Sequence, residues 1–177
     1  MTALVIGGSK CGKSGYAESL LEGVPGQRCY LATMEPFGEE AQHIITRHRL
    51  ARAGKGFVTL ECPRDLGGLT LPPGCSVLLE DLGNLCANEM FRADGVHDPL
   101  PCIRRGIDAL RRQCRHLVMV SNDVGYDLGD YPPETGRYLC ALGAVNAYAA
   151  SVSDLVTECV FGIPIVRKGE APCSGHF

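Results

Sequence analysis

Apolar residues along the chain fall into two kinds of run, and their alternation sets the expected architecture. Short aliphatic and β-branched runs at Ala3 to Ile6, Cys29 to Ala32, Phe57 to Leu60, Ser76 to Leu79, Leu117 to Val120 and Leu155 to Phe161 read as strands. Ala17, Leu20, Leu21 and Val24 recur at helical spacing until Pro25-Gly26 stops the segment, and further helices are expected over about 39–52, 84–92, 101–115 and 134–152. Strands that alternate with helices predict an α/β fold: a mostly parallel sheet with helices on both faces, in a single domain over residues 1–177. Pro72-Pro73 and Pro132-Pro133 punctuate the pattern, and no internal repeat or low-complexity tract interrupts it. After Pro164 the pattern weakens, which reads as a short edge strand and a frayed end.

Composition narrows the class. An apolar content of 45% with 21% charged residues is that of a soluble globular protein. No apolar stretch approaches the roughly 18 residues needed to cross a bilayer, so membrane insertion is not expected. No basic region leads into an apolar block and cleavage site, so a cytoplasmic location is expected. The net charge of -3 argues against nucleic-acid binding. The arginines nevertheless cluster, at Arg47, Arg49 and Arg52 and again from Arg104 to Arg115, where they read as a solvated helix face. The ten cysteines lie at least eleven positions apart, which leaves no CxxC pair to begin a metal site. They read as free thiols used as small core residues.

The most specific pattern is GGSKCGKS, Gly7 to Ser14, between the first strand and the first helix. Gly7, four residues, then Gly12-Lys13-Ser14 satisfies the GxxxxGK[ST] phosphate-loop pattern in the context that its mechanism requires. Gly7, Gly8, Ser9, Lys10, Cys11 and Gly12 would turn backbone N–H groups onto phosphate oxygens, helped by the dipole of the following helix. Lys13 would reach the β- and γ-phosphates, and the Ser14 hydroxyl would ligate Mg²⁺. Such a loop usually works with an acid at the end of a nearby buried strand. Ser76-Val77-Leu78-Leu79-Glu80-Asp81 offers two adjacent candidates, of which Glu80 is preferred by spacing.

A second constellation lies on EEAQHIITRHRLARA, where Ala41, Ile44, Ile45 and His48 share one helical face. By periodicity alone His48 reads as a hydrogen-bonded core residue. Its neighbours Arg47, Arg49 and Arg52 suit a triphosphate better than a core, and a neutral imidazole among them could attack phosphorus to form a phosphoramidate. His43 lies off the apolar face and reads as solvent-facing.

Four stretches together resemble the bifunctional adenosylcobinamide kinase / adenosylcobinamide-phosphate guanylyltransferase family: LVIGGSKCGKSGYAESL, ITRHRLARAGKGFVTLE, SVLLEDLGNLCANEMF, and the run from VMVSNDVG to FGIPI. The phosphate loop alone is unspecific. Its combination with RH, T-x-E, SNDVG and a later GxxN helix is selective. The resemblance implies a P-loop, RecA-like enzyme that phosphorylates adenosylcobinamide with ATP or GTP. It then implies transfer of GMP from GTP to the product through a histidine-bound GMP, with release of pyrophosphate. His48 falls on that histidine and Glu80 on the acid closing the fourth strand. Glu61 closes T-x-E as a nucleotide-binding position, while Asn122, Asp123 and Gly125 match a loop near the nucleotide. The family's trimers imply a homotrimer, with the corrinoid and its phosphate as the other partners.

The chain departs from the family pattern at Phe57, where tryptophan is common, and at Gly54-Lys55-Gly56, where a proline is common. Asp81-Leu82-Gly83-Asn84 replaces a threonine-containing segment, and residues Arg167 to Phe177 go unmatched. Two other readings of the residues stand beside the bifunctional one. A monofunctional P-loop kinase would leave His48 structural, and a nucleotide-dependent regulatory ATPase would ignore corrinoids.

Overall fold

The computed structural model describes residues 1–35, 55–124 and 129–171. Its main element is a seven-stranded sheet in the order β3-β2-β4-β7-β1-β8-β9. The strands are β1 Thr2–Gly7, β2 Arg28–Ala32, β3 Phe57–Glu61, β4 Ser76–Glu80, β7 His116–Asn122, β8 Leu155–Val160 and β9 Ile163–Lys168. All neighbours run parallel except β9, which returns antiparallel along β8. The helices are α1 Lys13–Ser19, α2 Leu82–Met90, α3 Leu100–Gln113 and α4 Pro133–Val152. A two-stranded ribbon of β5 Phe91–Arg92 and β6 Gly95–Val96 lies apart from the sheet.

Side chains alternate across the sheet with the period of a pleated strand. Leu4, Leu31, Val77, Leu79, Leu117 and Met119 face one side and pack with Leu82 and Leu85 of α2, Ile103 and Ile107 of α3, and Leu142 and Val145 of α4. Val5, Tyr30, Leu78, Val118 and Val120 face the other side against Ala17, Leu20, Leu21 and Val24. Both faces of the central strands are therefore covered, which is why they read as continuous apolar runs. The α/β architecture with helices on both faces is as expected.

The differences in detail have local causes. Regular helix α1 ends at Ser19 because the next turns tighten, with Leu21 N bonding Glu18 O at 3.0 Å and Gly23 at φ 74°. Leu20, which still bonds Tyr16 O at 3.2 Å, and Leu21 and Val24 stay buried past the end of the regular helix. The helix expected to reach residue 92 ends at Met90, and Phe91 and Arg92 enter the ribbon instead. The edge strand after Phe161 runs for six residues, and Pro164 is tolerated in it because an edge strand leaves alternate N–H groups unused. The expected solvated face holds for Arg104, Arg105, Arg111 and Arg112 on α3 and for Arg115 just past its end, and Arg104 also lies 4.7 Å over the Tyr148 ring. All nine cysteines among the described residues are free, and Cys29, Cys62, Cys75, Cys86 and Cys159 are buried.

One buried charge ties the ribbon to the chain after β3 and to α3. Glu89 on α2 is 1% exposed and accepts from Asp65 N at 2.7 Å, from Cys102 Sγ at 3.5 Å and from Arg92. Burial alone would raise its carboxyl pKa, but these donors outweigh it and hold the group below the ordinary glutamate value. A depressed folded-state pKa contributes stability above the unfolded value and loses it as pH falls through the folded one. Glu89→Gln should accordingly be less stable than the natural protein at pH 7, by about 1–2 kcal/mol. The gap should narrow under acid conditions in chemical denaturation, and a gap independent of pH would contradict the role given to the charge.

Candidate active site

The carboxyl ends of the parallel strands form one edge, where ligands of open α/β sheets bind. There β1 leaves the sheet at Gly7, enters the loop Gly8 to Gly12 and re-enters regular structure at Lys13. Two loop residues have left-handed backbone, Lys10 at φ 56° and Gly12 at φ 93°. Gly7 is required for a different reason, since an added Cβ would meet Cys159 O at 2.6 Å and Cys11 Sγ at 2.7 Å. The carbonyl belongs to the neighbouring strand β8 and cannot yield. Gly7→Ala should cost about 1–3 kcal/mol of stability and weaken nucleotide binding with it; an unchanged melting temperature and affinity would contradict this packing.

Lys13 Nζ donates to Gly8 O at 3.0 Å, which holds the ammonium over the loop. Ser14 Oγ donates to Glu80 Oε1 at 2.8 Å, across a sequence separation of 66 residues. Glu80 ends β4, which is separated from β1 by β7. Asp81 is engaged elsewhere. At φ 74° it caps α2, accepting from Gly83 N at 2.8 Å and Asn84 N at 3.3 Å, and it also accepts from Asn122 Nδ2 at 2.9 Å.

Behind the carboxylate lies a layer of fixed polar groups. The buried Thr33 hydroxyl, just past β2, is shared between Glu80 O at 2.7 Å and Asp81 O at 2.9 Å. Asn88 Nδ2 bonds Thr33 O at 2.7 Å. From the other side, Asn146 accepts from Ser121 Oγ at 2.6 Å and donates to Asn122 O at 3.3 Å, which links α4 to the end of β7. Tyr138 OH donates to Gly83 O at 3.3 Å; burial first, then Cys86 and Asp81 nearby, push its phenol up to about 12, so it stays a donor. Asp123 N closes the edge on Gly7 O at 3.1 Å.

The loop residues, Lys13, Ser14 and Glu80 are thus brought together. Glu61, at the end of β3, is exposed on the same edge with β2 between it and β4. His43, Arg47, His48, Arg49, Arg52 and Gly125 lie outside the described residues. Among the described residues no three His, Cys, Asp or Glu side chains converge as a metal cage. Mg²⁺ rarely needs one, because it keeps waters and phosphate oxygens and takes one or two protein ligands. A serine hydroxyl and a carboxylate 2.8 Å apart beside a phosphate loop fit that donor set.

With this geometry in place, the comparisons are specific. The family described as cobinamide kinase / cobinamide phosphate guanyltransferase matches residues 3–166. The chain belongs to this family. It is therefore a transferase, in a family of bifunctional enzymes of cobalamin biosynthesis. Curated members of similar length support the assignment. The bifunctional adenosylcobalamin biosynthesis protein CobU of Salmonella typhimurium is 31% identical, covering 95% of this chain and all (100%) of that one. CobU of Escherichia coli is 29% identical over 95% of this chain and 100% of its own. CobP of Pseudomonas aeruginosa is 29% identical over 96% and 99%. Among solved structures, the P4 protein from bacteriophage phi6 in complex with ADP is similar with a TM-score of 0.42 at 13% identity. That likeness covers 92% of this chain and 52% of P4, so the chain spans about half of P4. No helix among the described residues is long and apolar enough to cross a membrane.

For this family member, sequence reasoning passed over Thr33 and the part played by Asp81. A threonine after a strand carries no signal until β2 and β4 are known to be neighbours. Asn146 lies in the GxxN motif, and its link to Ser121 and Asn122 gives the motif a structural meaning.

Proposed function

We propose that one domain over residues 1–177 carries two successive reactions at this edge. In the first, a hydroxyl oxygen of adenosylcobinamide attacks the γ-phosphorus of ATP or GTP, and the nucleoside diphosphate leaves. In the second, the His48 imidazole attacks the α-phosphorus of GTP and expels pyrophosphate. An oxygen of adenosylcobinamide phosphate then attacks the histidine-bound GMP, and the imidazole leaves as adenosylcobinamide-GDP forms. Division into two displacements lets pyrophosphate depart before a second polyanion must approach.

The observation that carries this reading is the hydrogen bond between Ser14 Oγ and Glu80 Oε1 at the phosphate loop, in a chain of this family. Lys13 and the loop amides hold the β- and γ-phosphates. Ser14 and Glu80 hold Mg²⁺, which when bound neutralises charge on the phosphate oxygens. Arg47, Arg49 and Arg52 contact the triphosphate beside His48, and Glu61 contributes to nucleotide binding from the end of β3. A cytoplasmic location and, as the family resemblance implies, a homotrimer belong to the same reading.

The test is incubation with Mg²⁺ and GTP radiolabelled at the α-phosphate, followed by denaturing electrophoresis. A protein-bound label that is acid-labile and alkali-stable is expected. Protein that binds GTP yet takes up no label would reduce the activity to phosphoryl transfer alone.

A further inference from the structure

The turn joining β8 to β9 contains only Phe161 and Gly162, since Val160 pairs with Ile163 across it. Both residues have positive φ, 51° and 82°, as in a type I′ hairpin. That turn favours Asn, Asp or Gly at its first position, where a phenylalanine is sterically disfavoured. The ring gains no packing in exchange, since Phe161 is 94% exposed. A residue that breaks a local rule with no structural return points to a role in function.

Its position suggests which role. Gly162 N donates to Cys11 O at 2.9 Å, and Gly162 Cα lies 3.2 Å from where a Cβ on Gly12 would stand. The turn therefore rests directly on the phosphate loop. Ser14 and Glu80 mark the β,γ end of a donor triphosphate on the side of β7 and β4. The sheet order places β8 on the opposite side of β1. A donor whose terminal phosphate points toward Glu80 must lead its nucleoside out toward the β8–β9 turn.

We propose that Phe161 is the platform on which the purine of the phosphoryl donor stacks. This rests on the reading of Gly7 to Ser14 as a triphosphate loop. Every base presents a π-face, so stacking holds a nucleotide without reading its edge. A kinase step served by such a platform accepts adenine and guanine donors alike.

The chain contains no tryptophan, so Phe161→Trp installs a single tryptophan, selectively excited beside the six tyrosines, at the site. Its emission should be quenched by the β,γ-imido analogues of ATP and GTP with similar midpoints, and not by tripolyphosphate. Phe161→Asn suits the turn and should raise the melting temperature. It should also raise KM for both donors about tenfold, with a smaller effect on kcat. Unchanged KM values in Phe161→Asn, or unquenched tryptophan in protein that calorimetry finds saturated with nucleotide, would overturn the proposal. So would a change of sedimenting mass in Phe161→Asn without a change in KM, which would assign the ring to a contact between subunits. Natural protein that binds neither analogue nor tripolyphosphate would sink the phosphate-loop reading itself, and the platform with it.

Discussion

Lys13→Ala is expected to lower kcat/KM for phosphoryl transfer by about 10²- to 10³-fold, the cost of removing one preorganised charge from the reacting centre. Among the described residues the lysine ammonium bonds Gly8 O at 3.0 Å, an exposed contact within the loop, so its removal should leave the fold and melting temperature nearly unchanged. Lys13→Arg should not restore activity, because a planar fork cannot replace a compact ammonium held against a loop carbonyl. Guanylyl transfer should fall as well, since the same loop would hold the departing pyrophosphate. Product separation with corrinoid and GTP measures both steps. An unimpaired guanylyl transfer in Lys13→Ala would mean that the two reactions do not share the loop.

His48→Ala should divide the activities. If the imidazole is the nucleophile, its loss removes the covalent path and should reduce guanylyl transfer by at least about 10⁴-fold, with disappearance of the radiolabel from the protein. Formation of adenosylcobinamide phosphate from ATP should be largely spared, because no atom of that reaction passes through the imidazole. The expected signature is accumulation of the phosphorylated corrinoid. A folded His48→Ala variant that loses both activities would contradict this division of roles.

How far the sequence alone leads depends on which physics each residue answers to. The sheet is legible because six of its strands run parallel to their neighbours and the central ones are covered on both faces, leaving aliphatic runs such as SVLL and HLVMV between polar connections. The phosphate loop is legible because glycine spacing, strand and helix all occur locally. Glu80 and Asp81 could not be separated in the same way. Asp81 turns aside only because α2 starts there in left-handed geometry and Asn122 reaches it from β7, both consequences of tertiary packing. The ribbon at Phe91 to Val96 is too short for any period to register. Phe161 was read as the end of a strand because its apolar character suits one; its turn geometry contradicts local preference, and composition cannot report that.

The placement of β7 between β1 and β4 makes side-chain length a ruler. β4 stands two strand spacings, roughly 10 Å, from β1, so the loop and the first turn of α1 carry Ser14 part of the way and the acid on β4 must reach the rest. Glutamate reaches Ser14 at 2.8 Å. An aspartate at the same position would draw its oxygens back by about 1.5 Å, beyond hydrogen-bonding range. In a sheet of this order, a single methylene decides whether the hydrogen bond that joins the two strands at this edge can form.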